Sequence, residues 1–172
     1  AYIGGGVWVD IYLASVNEAI TLSNGNGSPI TAGTCKSKYG DTPLTGTEGL
    51  SGYNFFELAR RSGKRLLTYG EWLQAAHGHP AGDEFAGNTS TRGTNGEDAD
   101  IGAVSFANIV DCVRKLWQWL DEFTIAQDST SWAWQTPMAG MNVGQLYLPN
   151  ATGLRQFIVG GHWGNGASAG SR

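Results

Sequence analysis

The sequence predicts a single α+β domain in which irregular connections outweigh regular elements. Two segments, 53–62 and the run opening at Thr68, carry helix signals, whereas 7–14 and 156–159 are β-branched and aromatic and read as strands. Glycine supplies 26 of the 172 residues, about twice its usual share. Seven Trp stand beside only two Met. Glycines turn the backbone and large aromatics fill a core that few regular elements close. No repeat or linker divides the chain, so 1–172 reads as one domain.

The elements follow in order. Residues 7–14, Val-Trp-Val-Asp-Ile-Tyr-Leu-Ala, predict a strand, and 23–52, rich in Gly, Ser, Thr, Asn and Pro, predict an irregular connection. In the first helix Phe55, Leu58 and Ala59 share a face, Arg60 and Arg61 suit the last turn, and Gly63 suits the position after it. The second opens with a capping box of Thr68 and Glu71. Trp72, Leu73 and Ala76 follow on one face, and His77 and Gly78 close it. Residues 79–105 read as a long loop. In 106–123, Ile109, Val113, Leu116, Trp117 and Leu120 fit a helical period, while 116–120 fits an aromatic strand equally well. An irregular stretch, 124–153, carries Trp132 and Trp134, and the strand at 156–159 breaks at Gly160-Gly161.

Charge narrows the function classes. Only 15% of residues are charged and the net charge is −4, which opposes an electrostatic nucleic-acid binder. The basic cluster Arg60, Arg61, Lys64 and Arg65 reads as the charged end of a helix. Cys35 and Cys112 lack zinc-ligand spacing, and both a disulfide and a free buried pair are open to them. No run of 18 apolar residues predicts a membrane span. The first residues lack a charged leader and an initiator Met, and read as processed or trimmed.

Three segments carry a resemblance. Gly63-Lys64-Arg65-Leu66-Leu67-Thr68-Tyr69-Gly70-Glu71-Trp72-Leu73-Gln74-Ala75-Ala76 resembles the element G-K-R-L-P-T-x-x-E-W-x-x-A-A, with Leu67 in place of Pro. Val113-Arg114-Lys115-Leu116-Trp117-Gln118-Trp119-Leu120 resembles G-N-V-W-E-W-V, with Arg114-Lys115 in place of Gly-Asn. Phe157-Ile158-Val159-Gly160-Gly161-His162-Trp163 resembles R-G-G-S-W. In this order they are similar to the formylglycine-generating-enzyme-type branch of the C-type lectin fold. The resemblance implies two helices packed on small, mainly antiparallel sheets with long loops, and it implies a strand at 115–121.

Within that branch the tail, 160–172, resembles the variable region of a diversity-generating-retroelement target, a family with phage, viral and archaeal members. In such proteins a reverse transcriptase miscopies template adenines, and Asn codons are the usual hypermutated positions. A family-like template would read G-G-N-W-N-N-G-A-N-A-G-S-R. His162, Gly164 and Ser168 are then altered Asn positions and Asn165 an unaltered one, with Ala167 and Ala169 less variable. The resemblance assigns 1–155 to scaffold and 156–172 to the start of the variable region. It makes Gly160, Gly161, Trp163, Trp117, Trp119 and Trp72 structural anchors. It implies a non-enzymatic ligand-binding protein that recognises a protein or glycan on another cell or particle, placed on a virion or cell surface. Family members continue past the G-S-R element with more variable positions and a closing strand.

Other readings set limits. Formylglycine-generating enzymes use a C-terminal pair of cysteines, and no cysteine follows Cys112 here. His77, His79 and His162 sit in no recognisable catalytic setting. Asp83, Glu84, Glu97, Asp98 and Asp100 read as a solvated loop, with Ca²⁺ as the alternative and no other cofactor implied. Trp132 and Trp134 read as core, with a sugar-stacking platform as the alternative. A fixed-specificity lectin and a formylglycine-type oxidase relative are the competing functions.

Overall fold

In the computed structural model, two helices pack against small two-stranded antiparallel sheets. The structure describes residues 1–80, 93–97, 102–126, 133–135, 146–148 and 153–162. Strands β1 (Tyr2–Gly4) and β2 (Val7–Trp8) form a hairpin, β3 (Ala14–Leu22) pairs with β4 (Ile30–Ser37), and helices α1 (Gly52–Arg61) and α2 (Tyr69–Ala76) follow. Strand β5 (Gln118–Ala126) pairs with β8 (Gly153–Val159) across the insertion that holds β6 (Ala133–Gln135) and β7 (Leu146–Leu148). No helix among the described residues is long and apolar enough to cross a membrane.

The strand expected at 7–14 is instead two pieces of different sheets. Gly4, Gly5 and Gly6 all take positive φ and turn the chain into β2. Pairing then lapses, and Asp10 turns to Lys64 at 2.6 Å. The connection expected at 23–52 contains β4. Its residues lack clean alternation because α1 covers that strand with polar as well as apolar groups. The Glu57 carboxylate accepts from Ile30 N at 2.8 Å, Arg61 donates to Ile30 O, and Ser62 Oγ accepts from Cys35 N at 2.8 Å. Helix side chains thus satisfy backbone groups that a bare strand edge would expose. Beneath them Ile30, Leu44, Leu50 and Leu58 form one apolar core, each such side chain contributing about 1.5–3 kcal/mol when fully buried.

Both expected helices form within one residue of their predicted ends. Ser51 caps α1 through a reciprocal box with Asn54, and Thr68 caps α2 through the one with Glu71. The basic cluster at the end of α1 is distributed among partners. Arg61 meets Glu57, Lys64 meets Asp10, Arg65 grips Glu71, and Arg60 lies over the Phe56 ring. Gly52 begins α1 where a Cβ would come within 2.9 Å of the Trp119 ring, so this helix approaches β5 more closely than any other residue allows.

The helical period at 109–120 is not realised. Asn108, Asp111 and Arg114 each adopt positive φ, which no right-handed helix accommodates. The segment runs as successive tight turns that bury Val110 and set Ile109, Cys112 and Val113 beside Trp72, Ala75 and Ala76 of α2. The expected strand at 115–121 begins three residues later, at Gln118, and extends to Ala126. Strand β8 likewise starts earlier than expected, at Gly153. Short strands occupy part of the stretch expected to be irregular at 124–153. Cys35 and Cys112 are free thiols.

One buried charge pair ties the segment at 93–97 to these turns. The Lys115 side chain is 1% exposed and its ammonium donates to Glu97, which also accepts from Thr94 N at 2.8 Å. Removing the ammonium strands a partly buried carboxylate. Lys115→Ala is expected to lower unfolding free energy by about 3 kcal/mol, whereas Lys64→Ala, at an exposed pair, costs under about 1 kcal/mol. Urea titration of both variants measures the contrast.

The capping carboxylate has a pH signature. Its hydrogen bonds from Arg65 and from Thr68 N hold the Glu71 carboxyl at about 2, well below the ordinary 4.5. The unfolded chain therefore binds this proton more readily, so the contribution is complete above about pH 5 and is lost as pH falls towards 2. Glu71→Gln is expected to be less stable than the parent at about pH 7, with the gap narrowing by about pH 3. Urea midpoints at the two pH values check it.

Candidate functional site

The site begins with the end of β8. Val159 is buried in the α2 core, and the chain then turns through Gly160 at φ 84° and Gly161 at φ 75°. The Gly160 carbonyl accepts from Arg114 N at 3.0 Å. A Cβ on Gly160 would stand 2.6 Å from the Cys112 carbonyl oxygen. Strand exit and buried turn are therefore pressed together, and only glycine satisfies both the dihedral and the gap.

The Gln118 side chain holds this junction together. Its Nε2 donates to the carbonyls of Asp111 at 3.2 Å and Cys112 at 2.8 Å, and its Oε1 accepts from Trp72 Nε1 at 3.2 Å. One amide thus joins α2, the turns before β5, and β5 itself. No motif in the sequence singles out Gln118. A polar residue between two tryptophans in a strand was the available signal, since a buried amide needs several partners.

Beyond the glycines, His162 meets Trp117. Their rings are 6.3 Å apart at 67°, an edge-to-face arrangement, and Trp117 is exposed. Trp117 precedes β5 and faces outward, while Trp119 packs against the start of α1 and Trp72 is buried against Tyr69 and Gln118. The two tryptophans around Gln118 therefore do not share one environment, because β5 begins only after Trp117. The structure brings Gly160, Gly161, His162, Trp117 and, through Gln118, Trp72 into one neighbourhood. Trp163, Gly164, Asn165, Ala167, Ser168 and Ala169 lie outside the described residues, as do Asp83, Glu84, Asp98, Asp100 and Trp132. Trp134 is placed in β6 opposite Tyr147.

Other candidate chemistry is dispersed. His77 is exposed and edge-on to Phe106 at 5.3 Å. His79 is buried, its Nδ1 is 2.9 Å from the Pro80 carbonyl, and burial pushes its pKa down. Burial, with the nearby Asp111 charge, pushes the Cys112 thiol up to about 12, which leaves it protonated and a poor nucleophile at neutral pH. No group of three or more potential metal ligands occurs among the described residues, and Glu97 is engaged by Lys115 and Thr94.

The chain matches no known family model, and no curated protein matches it.

The Gly160 junction is open to a direct check. Gly160→Ala is expected to destabilise by about 3 kcal/mol, combining left-handed strain with overpacking. Gly40→Ala has similar φ, 77°, but nothing within 4 Å of its Cβ, so it should cost only the strain, about 1–2 kcal/mol. Chemical denaturation of both variants separates the two costs.

Proposed function

We propose that this chain is a ligand-binding protein with a C-type lectin fold of the formylglycine-generating-enzyme type, and that its C-terminal segment is diversified by a retroelement. The observation that carries the reading is the junction at Gly160-Gly161. There a buried, glycine-dependent turn delivers the chain to His162 on the exposed Trp117 ring. A scaffold locked up to that point tolerates change beyond it, as recognition loops on rigid frameworks do. The three ordered motifs, with His162, Gly164, Asn165 and Ser168 at the Asn-like positions of the tail, support the same reading.

Binding would use steric fit, hydrogen bonds and aromatic contacts, with no covalent step. Pairing of the basic residues at the end of α1 and just after it supports a protein or glycan partner over a nucleic acid.

Sequencing the genomic locus tests the proposal. A near-identical template copy of the segment encoding 156–172 is expected beside a reverse-transcriptase gene, with differences confined to template adenines. Differences spread evenly over the four bases, or a locus with no template copy, would overturn it.

A further inference from the structure

A cavity of about 750 Å³ lies between the two apolar cores. The β1–β2 hairpin and the segment after it form one wall. Residues of the first core, among them Leu44 and Phe55, and of the second, among them Trp72 and Leu120, form the others. Its size is in the range of small-molecule sites. It opens to solvent past Trp8 and Trp117, so an occupant would gain by taking apolar wall surface out of water. The lining is mostly apolar, so water in the pocket is readily displaced by an apolar group.

The lining also specifies the chemistry of the occupant. Its three charged residues are already paired, Asp10 with Lys64 at 2.6 Å and Arg65 with Glu71 at 2.5 Å. A charged ligand would have to break one of these pairs. Four of the seven tryptophans, Trp8, Trp72, Trp117 and Trp119, contribute to the wall, and their faces suit planar rings. Trp8 is 77% exposed and Trp117 39% exposed, which sets both at the rim, where a ligand enters.

We propose that this cavity is a binding site for an uncharged, ring-containing hydrophobic small molecule. It belongs to the part of the chain before the tail, so it stands independently of whether the tail is diversified. Both cysteines line it, one against each core, which supplies a chemical reporter. An occupant shields the half-buried Cys35 thiol from a small maleimide, while Cys112 is held protonated by its burial.

Indole is the probe, added to the full chain and followed by saturation-transfer NMR and by the rate of Cys35 alkylation. Saturable binding is expected, with Cys35 alkylation slowed about tenfold at saturation and binding of the anionic indole-3-acetate about tenfold weaker. Ala14→Phe and Leu66→Trp fill the cavity from different walls and are each expected to weaken indole binding by about tenfold. Should a filled variant fail to fold, protection of Cys35 in the parent chain decides. The proposal is overturned by uptake that does not saturate, by unchanged Cys35 alkylation, by equal binding of indole-3-acetate, or by full binding in a folded, filled variant.

Discussion

A single primary amide, that of Gln118, joins three parts of the molecule at one point. It accepts from the Trp72 indole on α2 and donates to two carbonyls of the buried turns before β5. Each of those groups is removed from bulk water, where an unpaired donor or acceptor costs about 1–3 kcal/mol. Once Trp72, Asp111 and Cys112 are fixed in this way, the path of Gly160 is fixed as well, because it must pass against the Cys112 carbonyl. The register of β5 on β8 and the delivery of His162 to Trp117 follow from that constraint.

Around this joint the two cores are assembled differently. The α1 core is closed by a helix whose polar side chains bond directly to the edge of β4. The α2 core is closed by backbone turns in which three non-glycine residues hold left-handed conformations. Such residues persist only where surrounding contacts over-determine them. The buried Lys115–Glu97 pair and the Gln118 amide supply those contacts. Where the two cores meet, the wall residues do not close on each other, and the aromatic-lined cavity is the result.

The proposed division between a fixed frame and a recognising surface is consistent with this arrangement. Charges near α1 and α2 are spent on one another, so the frame offers little long-range field to a partner. Under the proposed function, recognition would rest on shape and on aromatic and hydrogen-bonding groups. Those are the properties that exchange of side chains beyond a locked turn can alter without disturbing the core.

Both helices were legible in the sequence because their determinants are local: Thr68 and Glu71 cap within one turn, and Phe55, Leu58 and Ala59 repeat at helical spacing. The break at Gly160-Gly161 was legible for the same reason. Strand β4 was not, because its edge is satisfied by Glu57, Arg61 and Ser62 from a helix more than twenty residues away. At 109–120 the apolar spacing was wrong for conformation and only partly true to burial: the turns at Asn108, Asp111 and Arg114 bury Ile109, Val113 and Leu120 but leave Trp117 exposed, and they bury Val110 and Cys112 off that face. By itself the sequence determined the helices, their caps and the glycine turn that ends β8, all set by neighbours along the chain. Only the tertiary structure decided the role of Gln118, the burial of Lys115 and the cavity between the cores, because each depends on groups brought together from distant segments.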